Sequence, residues 1–404
     1  MTKAECTLDK EQKNHQKTTS FLILLLCAVF LTFLYYRVVT GYQSVGGNYF
    51  SDITEHLEYG RTYGIKGEYS LTLLIDDILD RIPVIGHVLT AMHLALLVVV
   101  GIIFSKRLIR KIVPECTEIM LTLLAVTSVL VMPVVMPNSP DTIYSDYVAN
   151  CWHSDNYFGM RTVAVALLLL LYDWVEDYLS DFGVKKLLTY TVLLSVINAI
   201  KPNFILGFAP AMLVMMISDI IRAKGNGFAN WIKFGIPVLL SLPVLLLQYY
   251  MTYNPESPLV EDSHLMFVTG DYLARVDNPF LVLLKGLAFP MCVIFMWFKT
   301  FKNNKFLNLC LRCFVTSFLE LFFIAESGER FADGNMGWGF TFFVYVMFMV
   351  CIAVFYKELV AFRINRDRNN SIRVFMSSVL LIWHLESGIT YLVTFCTGAI
   401  GYYI

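Results

Sequence analysis

Apolar runs of about twenty residues recur along this chain, and a run of that length spans a bilayer core as an α-helix. Runs at 21–40, 85–104, 117–136, 162–179, 187–200, 204–221, 231–250, 279–298, 306–325, 340–356 and 374–395 predict eleven membrane helices. The fifth is short and the last is long. A different pattern follows the first run. Leu71, Leu74, Ile75, Ile78, Leu79 and Ile82 recur at spacings of three and four, with Asp76, Asp77, Asp80 and Arg81 between them. That spacing predicts an amphipathic helix lying along the membrane surface, its acids on the face away from the apolar stripe.

Composition agrees, with 57% of residues hydrophobic and only 16% charged, an excess no soluble core requires. The basic residues fix an orientation. With the N terminus in the cytoplasm, of the 31 Lys and Arg only Arg61, Lys66, Arg81, Arg161, Lys201, Arg275 and Arg330 fall in outer segments. Arg37, Lys285 and Arg312 lie within spans and the rest face inward, as the positive-inside rule expects. The first span follows four lysines without a small-x-small cleavage site, so it is expected to stay as a signal-anchor. The fold expected is all-α and polytopic, a single transmembrane domain over 1–404 with a first extracytoplasmic loop at 41–84. The net charge of -1 carries little information, because basic inner loops and acidic outer loops nearly cancel, and nucleic acid is not an expected partner. Of nine cysteines only Cys151 sits in an outer loop, which excludes an exported disulfide framework. Cys310 and Cys313 have redox or zinc spacing but lie in a span with no partner pair, where packing is the better reading.

Function is expected outside, because the longer loops are there. Four outer segments carry polar chemistry. In the first, Ser51-Asp52-Ile53-Thr54-Glu55-His56, two carboxylates and an imidazole supply general acid/base or metal-ligand groups. The second, Asn150 to Asn156, holds Trp152, His153 and Asp155. The third is a turn, Asn198 to Asn203, with Lys201 at its tip, and the fourth runs from Glu326 through Arg330 and Asn335 to Trp338. Plainer alternatives stand beside each. Asp52 and His56 are one helical turn apart and suit a helix cap and polar face, His153 and Asp155 suit a solvated loop, Lys201 an interface anchor, and Glu326 with Arg330 a structural ion pair.

A membrane helix, then an outer loop with an early acid and a surface-lying helix, then many further spans with polar outer loops, resembles the GT-C superfamily of polyprenyl-phosphate-sugar-dependent glycosyltransferases. The sequence-specific part of that resemblance is Asp52 in Ser51 to His56. The Trp152-His153 and Glu326 to Trp338 segments are similar to bacterial surface-polysaccharide membrane proteins. The resemblance implies that an acid of the first outer loop serves as catalytic base or helps hold a divalent cation such as magnesium or manganese. The usual acids stand one residue apart, whereas here Ile53 and Thr54 separate Asp52 from Glu55. It also implies a polyprenyl-phosphate-linked sugar as donor, an extracytoplasmic glycan or lipid as acceptor, and a multi-pass protein of a bacterial plasma membrane.

The residue types suit this chemistry. Asp52 is expected to be the base, with Glu55 and His56 beside it as further catalytic groups, and Lys201 and Arg330 are cations at the depth of a lipid phosphate. His153, Asp155, Glu326 and Asn335 are sugar-orienting groups, and Trp338 can stack on a sugar ring. Two other classes fit the composition: a polysaccharide polymerase or ligase using lipid diphosphates, and a lipid or solute transporter. A transporter is expected to carry broken or polar helices near mid-membrane in paired halves, and no such symmetry is visible.

Overall fold

The computed structural model describes residues 3–40, 53–63, 70–131, 155–176, 183–222, 228–253, 263–269, 279–331, 335–364 and 366–397. The described chain is an all-α, polytopic membrane protein carrying one two-strand ribbon. In chain order the helices are α1 Lys3–Val39, α2 Ile53–Tyr63, α3 Leu71–Asp80, α4 Gly86–Ile112, α5 Glu118–Val126, α6 Asp155–Glu176 and α7 Val184–Ile200. There follow α8 Asn203–Arg222, α9 Phe228–Tyr253, α10 Pro279–Met296, α11 Phe298–Asn303, α12 Lys305–Phe323, α13 Gly337–Ile364 and α14 Arg368–Thr397. Among the described residues eight helices are long and apolar enough to cross a membrane, while Glu118–Val131 and Gly286–Met296 are apolar but shorter. Within the expected span at 117–136, α5 passes into a π-helical turn over Thr127–Val131, and 132–136 lie outside the described residues.

α13 is the axis of the bundle. It has no polar face, and its most apolar stretch is wholly enclosed, as expected of a helix hydrophobic on all sides. α12, α8, α10, α14 and α4 pack against it. α1 instead turns Phe21, Leu26 and Phe33 outward, the surface a helix offers to lipid. Association inside a bilayer depends on close packing because lipid is as apolar as leucine, so small residues mark the tight approaches. At Gly159 on α6 a Cβ would collide with Thr72 of α3 and crowd Ile200 of α7. Glycine there brings α3 and the end of α7 onto α6, four positions from Asp155.

The helix expected over 71–82 forms as α3 over Leu71–Asp80, and its acids turn into the protein. Asp76 and Asp77 are buried against the protein, and Ile78 and Ile82 are exposed. The acids find partners inside, and the apolar side faces outward, where a membrane interface would receive it. β1 (Leu265–Phe267) pairs antiparallel with β2 (Ile324–Glu326), Leu265 opposite Glu326. This ribbon fixes Glu326 beside the ends of α9 and α12.

Candidate active site

The polar residues collect where α2, α3, the start of α6, the end of α7, the start of α8, the end of α9 and the start of α13 meet. α2 is anchored first. Ile53, Leu57 and Gly60 are buried on one face. Arg61 bonds Asp80, Arg81 reaches the Gly60 carbonyl at 2.6 Å, and Asp77 holds Arg81 in turn. Those ties hold His56 half-buried against α6, with Glu55 exposed on another side.

His56 Nδ1 lies 2.9 Å from Asp155 Oδ1. Asp155 opens α6, where a helix N-terminus favours negative charge, and its Oδ1 also accepts the Asn156 N–H at 2.8 Å. A carboxylate only accepts, so His56 donates from Nδ1. A second carboxylate–imidazole pair stands beside the first, with His93 Nδ1 at 2.6 Å from Asp76 Oδ1. Burial pushes the Asp76 carboxyl up to about 7, the negative charge of Asp155 adding to the shift and the His93 hydrogen bond opposing it. Both aspartates are fully buried, and Oδ2 of each has no hydrogen-bond partner among the described residues.

Lys201 links this cluster to a cavity. At the C-terminus of α7 its backbone turns extended, φ -158°, which carries the ammonium inward. Nζ reaches Asn156 Oδ1 at 3.3 Å and sits 4.6 Å over the Trp338 ring, and Trp338 packs on Tyr157. The cavity beyond, about 240 Å³, is lined by Lys201, Asn203, Glu326, Arg330 and Asn335 on its polar side and by Leu206, Leu245 and Leu246 on its apolar side. Its polar wall is rigidly built. Glu326 Oε1 accepts from the Tyr253 hydroxyl at 2.5 Å and from Arg330 Nε at 3.0 Å, and Oε2 accepts from Asn335 Nδ2 at 2.7 Å. Asn203 Nδ2 then donates to the Asn335 carbonyl at 2.8 Å. Gly339 allows this corner to close, since a Cβ there would lie 2.8 Å from the Asn203 carbonyl oxygen and 2.9 Å from Glu320 Oε2.

Seven expected site residues thus belong to one region at a single end of the bundle: His56, Asp155, Lys201, Glu326, Arg330, Asn335 and Trp338. Glu55 is adjacent but faces out. Asp52 and His153 lie outside the described residues. Asp76 was expected only on the polar face of the helix over 71–82, His93 was not named, and Asn156, Asn203 and Tyr253 had not been singled out as site groups. The ion pair expected as one alternative for Glu326 and Arg330 forms, and it also builds the cavity wall. Among the described residues no group of three or more His, Cys, Asp or Glu side chains can hold a metal. Asp76 and Asp155 each hold an imidazole and Asp77 holds Arg81, so the described set, with no third ligand beside any pair, does not fit a magnesium or manganese site, and no step below runs through one.

Compared with known proteins, the chain matches no family model and no curated protein in sequence.

Proposed function

We propose that the chain is an inverting glycosyltransferase crossing the membrane eleven times, with its N terminus in the cytoplasm of a bacterial plasma membrane. It moves a sugar from a polyprenyl-phosphate carrier to an extracytoplasmic glycan, glycolipid or surface polymer. The observation that carries this reading is the run from an imidazole base, through a buried lysine, into a cavity with one polar cationic wall and one leucine wall. A phosphorylated lipid has that same division, an anionic head on an apolar tail.

In this reading the prenyl chain enters along Leu245 and Leu246, and its phosphate meets Lys201 and Arg330. His56 Nε2 takes the proton of the acceptor hydroxyl, a role that contributes roughly 10²–10⁴ in rate. The acceptor oxygen bonds the anomeric carbon from the face opposite the phosphate as the bond from that carbon to the phosphate oxygen breaks. The departing phosphate gains negative charge, and the two cations stabilise it. Asp155 holds the imidazole in the tautomer the step requires and balances its positive charge.

The test is reconstitution. Proteoliposomes of the purified chain are given labelled polyprenyl-phosphate sugar or, separately, a polyprenyl-diphosphate sugar, and release of carrier lipid is followed. Turnover of the monophosphate donor is expected. Turnover of only the diphosphate donor would replace the reading with a polymerase or ligase, and lipid translocation without bond cleavage would replace it with a transporter.

A further inference from the structure

The opposite end of the bundle holds a second cavity that the reading above does not use. It measures about 590 Å³ and lies between the C-terminal ends of α4 and α6, the short helix α11, the start of α12 and the last third of α13. Its floor is apolar, formed by Ile112, Leu307 and Val354, all buried. Its rim carries the ammonium groups of Lys111, Lys299 and Lys357, with Thr300, Asn303 and Tyr172 between them, and no carboxylate is among the described residues that line it.

The lysines are not equivalent. Lys111 is held by Asp173, 2.8 Å from each carboxylate oxygen. Lys299 and Lys357 make no salt bridge among the described residues, although they approach the same concavity from different helices. An inward-facing excess of lysine is ordinary in a membrane protein. Two lysines from different helices, without a salt bridge among the described residues and lining one cavity with an apolar floor of this size, are a more specific arrangement. It suits a ligand with an anionic head and an apolar body, and basic pockets between membrane helices on the cytoplasmic side bind phosphorylated headgroups in this way. The volume falls in the range of about 300–1,000 Å³ typical of small-ligand sites.

We propose that this cavity is a binding site for a phosphate-bearing anion, held by Lys299 and Lys357 with Lys111 at the edge. The shared chemistry has two sources, an anionic phospholipid of the adjoining leaflet or a soluble phosphate compound. The site lies at the other end of the helices from His56 and Lys201, so its test is independent of the proposed transferase activity.

The test uses the full-length chain purified in neutral detergent. Retained phosphatidylglycerol and phosphatidylcholine are counted by native mass spectrometry, and thermal stabilisation by inorganic pyrophosphate is measured in parallel. The wild type is expected to prefer the anionic lipid or to be stabilised by pyrophosphate. The double variant Lys299→Gln/Lys357→Gln should lose on the order of tenfold in that preference, each lysine near a charged lipid contributing a few-fold. Lys302→Gln, an exposed neighbour on α11 outside the cavity, should change nothing, and Lys299→Arg/Lys357→Arg should keep most of the binding. Retention of phosphatidylglycerol that pyrophosphate does not compete assigns the site to the lipid headgroup, and competition assigns it to soluble phosphate. A wild type with neither response, a double variant that binds as the wild type does, or equal losses in Lys302→Gln would overturn the proposal.

Discussion

The pair His56 and Asp155 gives the sharpest perturbation. Oδ1 of Asp155 accepts both the His56 Nδ1–H and the Asn156 N–H, and Oδ2 accepts nothing among the described residues. In Asp155→Asn the amide therefore keeps its carbonyl oxygen at the Oδ1 position, where both donors need an acceptor. The imidazole tautomer is retained and only the charge is lost. What fails is stabilisation of the imidazolium once His56 has taken a proton, a charge-assisted hydrogen bond of about 1.5–3 kcal/mol. At about 1.4 kcal/mol per decade that is a rate loss of roughly ten- to 150-fold. His56→Gln removes the base itself and should cost roughly 10²–10⁴.

The two groups act as one unit, so the double variant should be no slower than His56→Gln alone. The assay is single-turnover release of labelled polyprenyl phosphate in proteoliposomes, on protein that elutes as a monodisperse peak. Wild-type turnover in Asp155→Asn would refute the assignment of His56 as base. So would a double variant whose loss equals the product of the two single losses, because independent contributions cannot come from a base and its own counter-ion.

Lys201→Ala should weaken donor binding by about 1.5–3 kcal/mol, the worth of one charge-assisted phosphate contact; an unchanged affinity for the donor lipid would move the phosphate elsewhere. Asp76→Asn should remove a pH dependence of stability. With its carboxyl near 7 when folded against an ordinary 3.8, the folded chain holds more protons than the unfolded chain from about pH 4 to about pH 7, so the wild type should lose stability as pH rises through that window. Melting curves at pH 5 and pH 8 check this, and an identical slope in Asp76→Asn counts against it. Gly339→Ala should cost about 1–3 kcal/mol by pressing on the Asn203 carbonyl and Glu320, read as a lower melting temperature in detergent. Asp52→Asn tests the acid singled out by the sequence: a fall of about two orders of magnitude with normal folding would give it a share of the proton transfer, and normal turnover would leave that role to His56.

The membrane helices were legible because about twenty uninterrupted apolar residues have few other uses. The site was legible only in part. Periodicity told which residues of 71–82 share a face, but not which face meets the protein. Around a soluble core the apolar stripe turns inward; at a membrane surface it can turn to lipid, as Ile78 and Ile82 do, leaving Asp76 to enter the bundle. His93 gave no signal, lying inside the apolar run of α4 with its partner carried by another helix. Lys201 was visible as a cation at a turn, yet nothing local indicated that Trp338 would lie under it. These pairings depend on helix packing, which a single sequence does not display.

Three buried acids of the candidate site differ in how far their oxygens are met. Asp76, Asp155 and Glu326 are all withdrawn from solvent, and a buried carboxylate costs several kcal/mol unless its lone pairs are met. Glu326 is fully engaged, with Tyr253, Arg330 and Asn335 on its two oxygens. It has little capacity left for a substrate, so its part is to hold the cavity wall and set where Arg330 stands. Asp76 and Asp155 each leave one oxygen without a hydrogen-bond partner among the described residues, so each keeps accepting capacity that Glu326 lacks. In the proposed reaction, proton transfer then falls on the side of α2, α3 and α6, and the phosphate on the side of α8 and α9. Lys201 stands between them, within reach of Asn156 on one side and lining the cavity on the other.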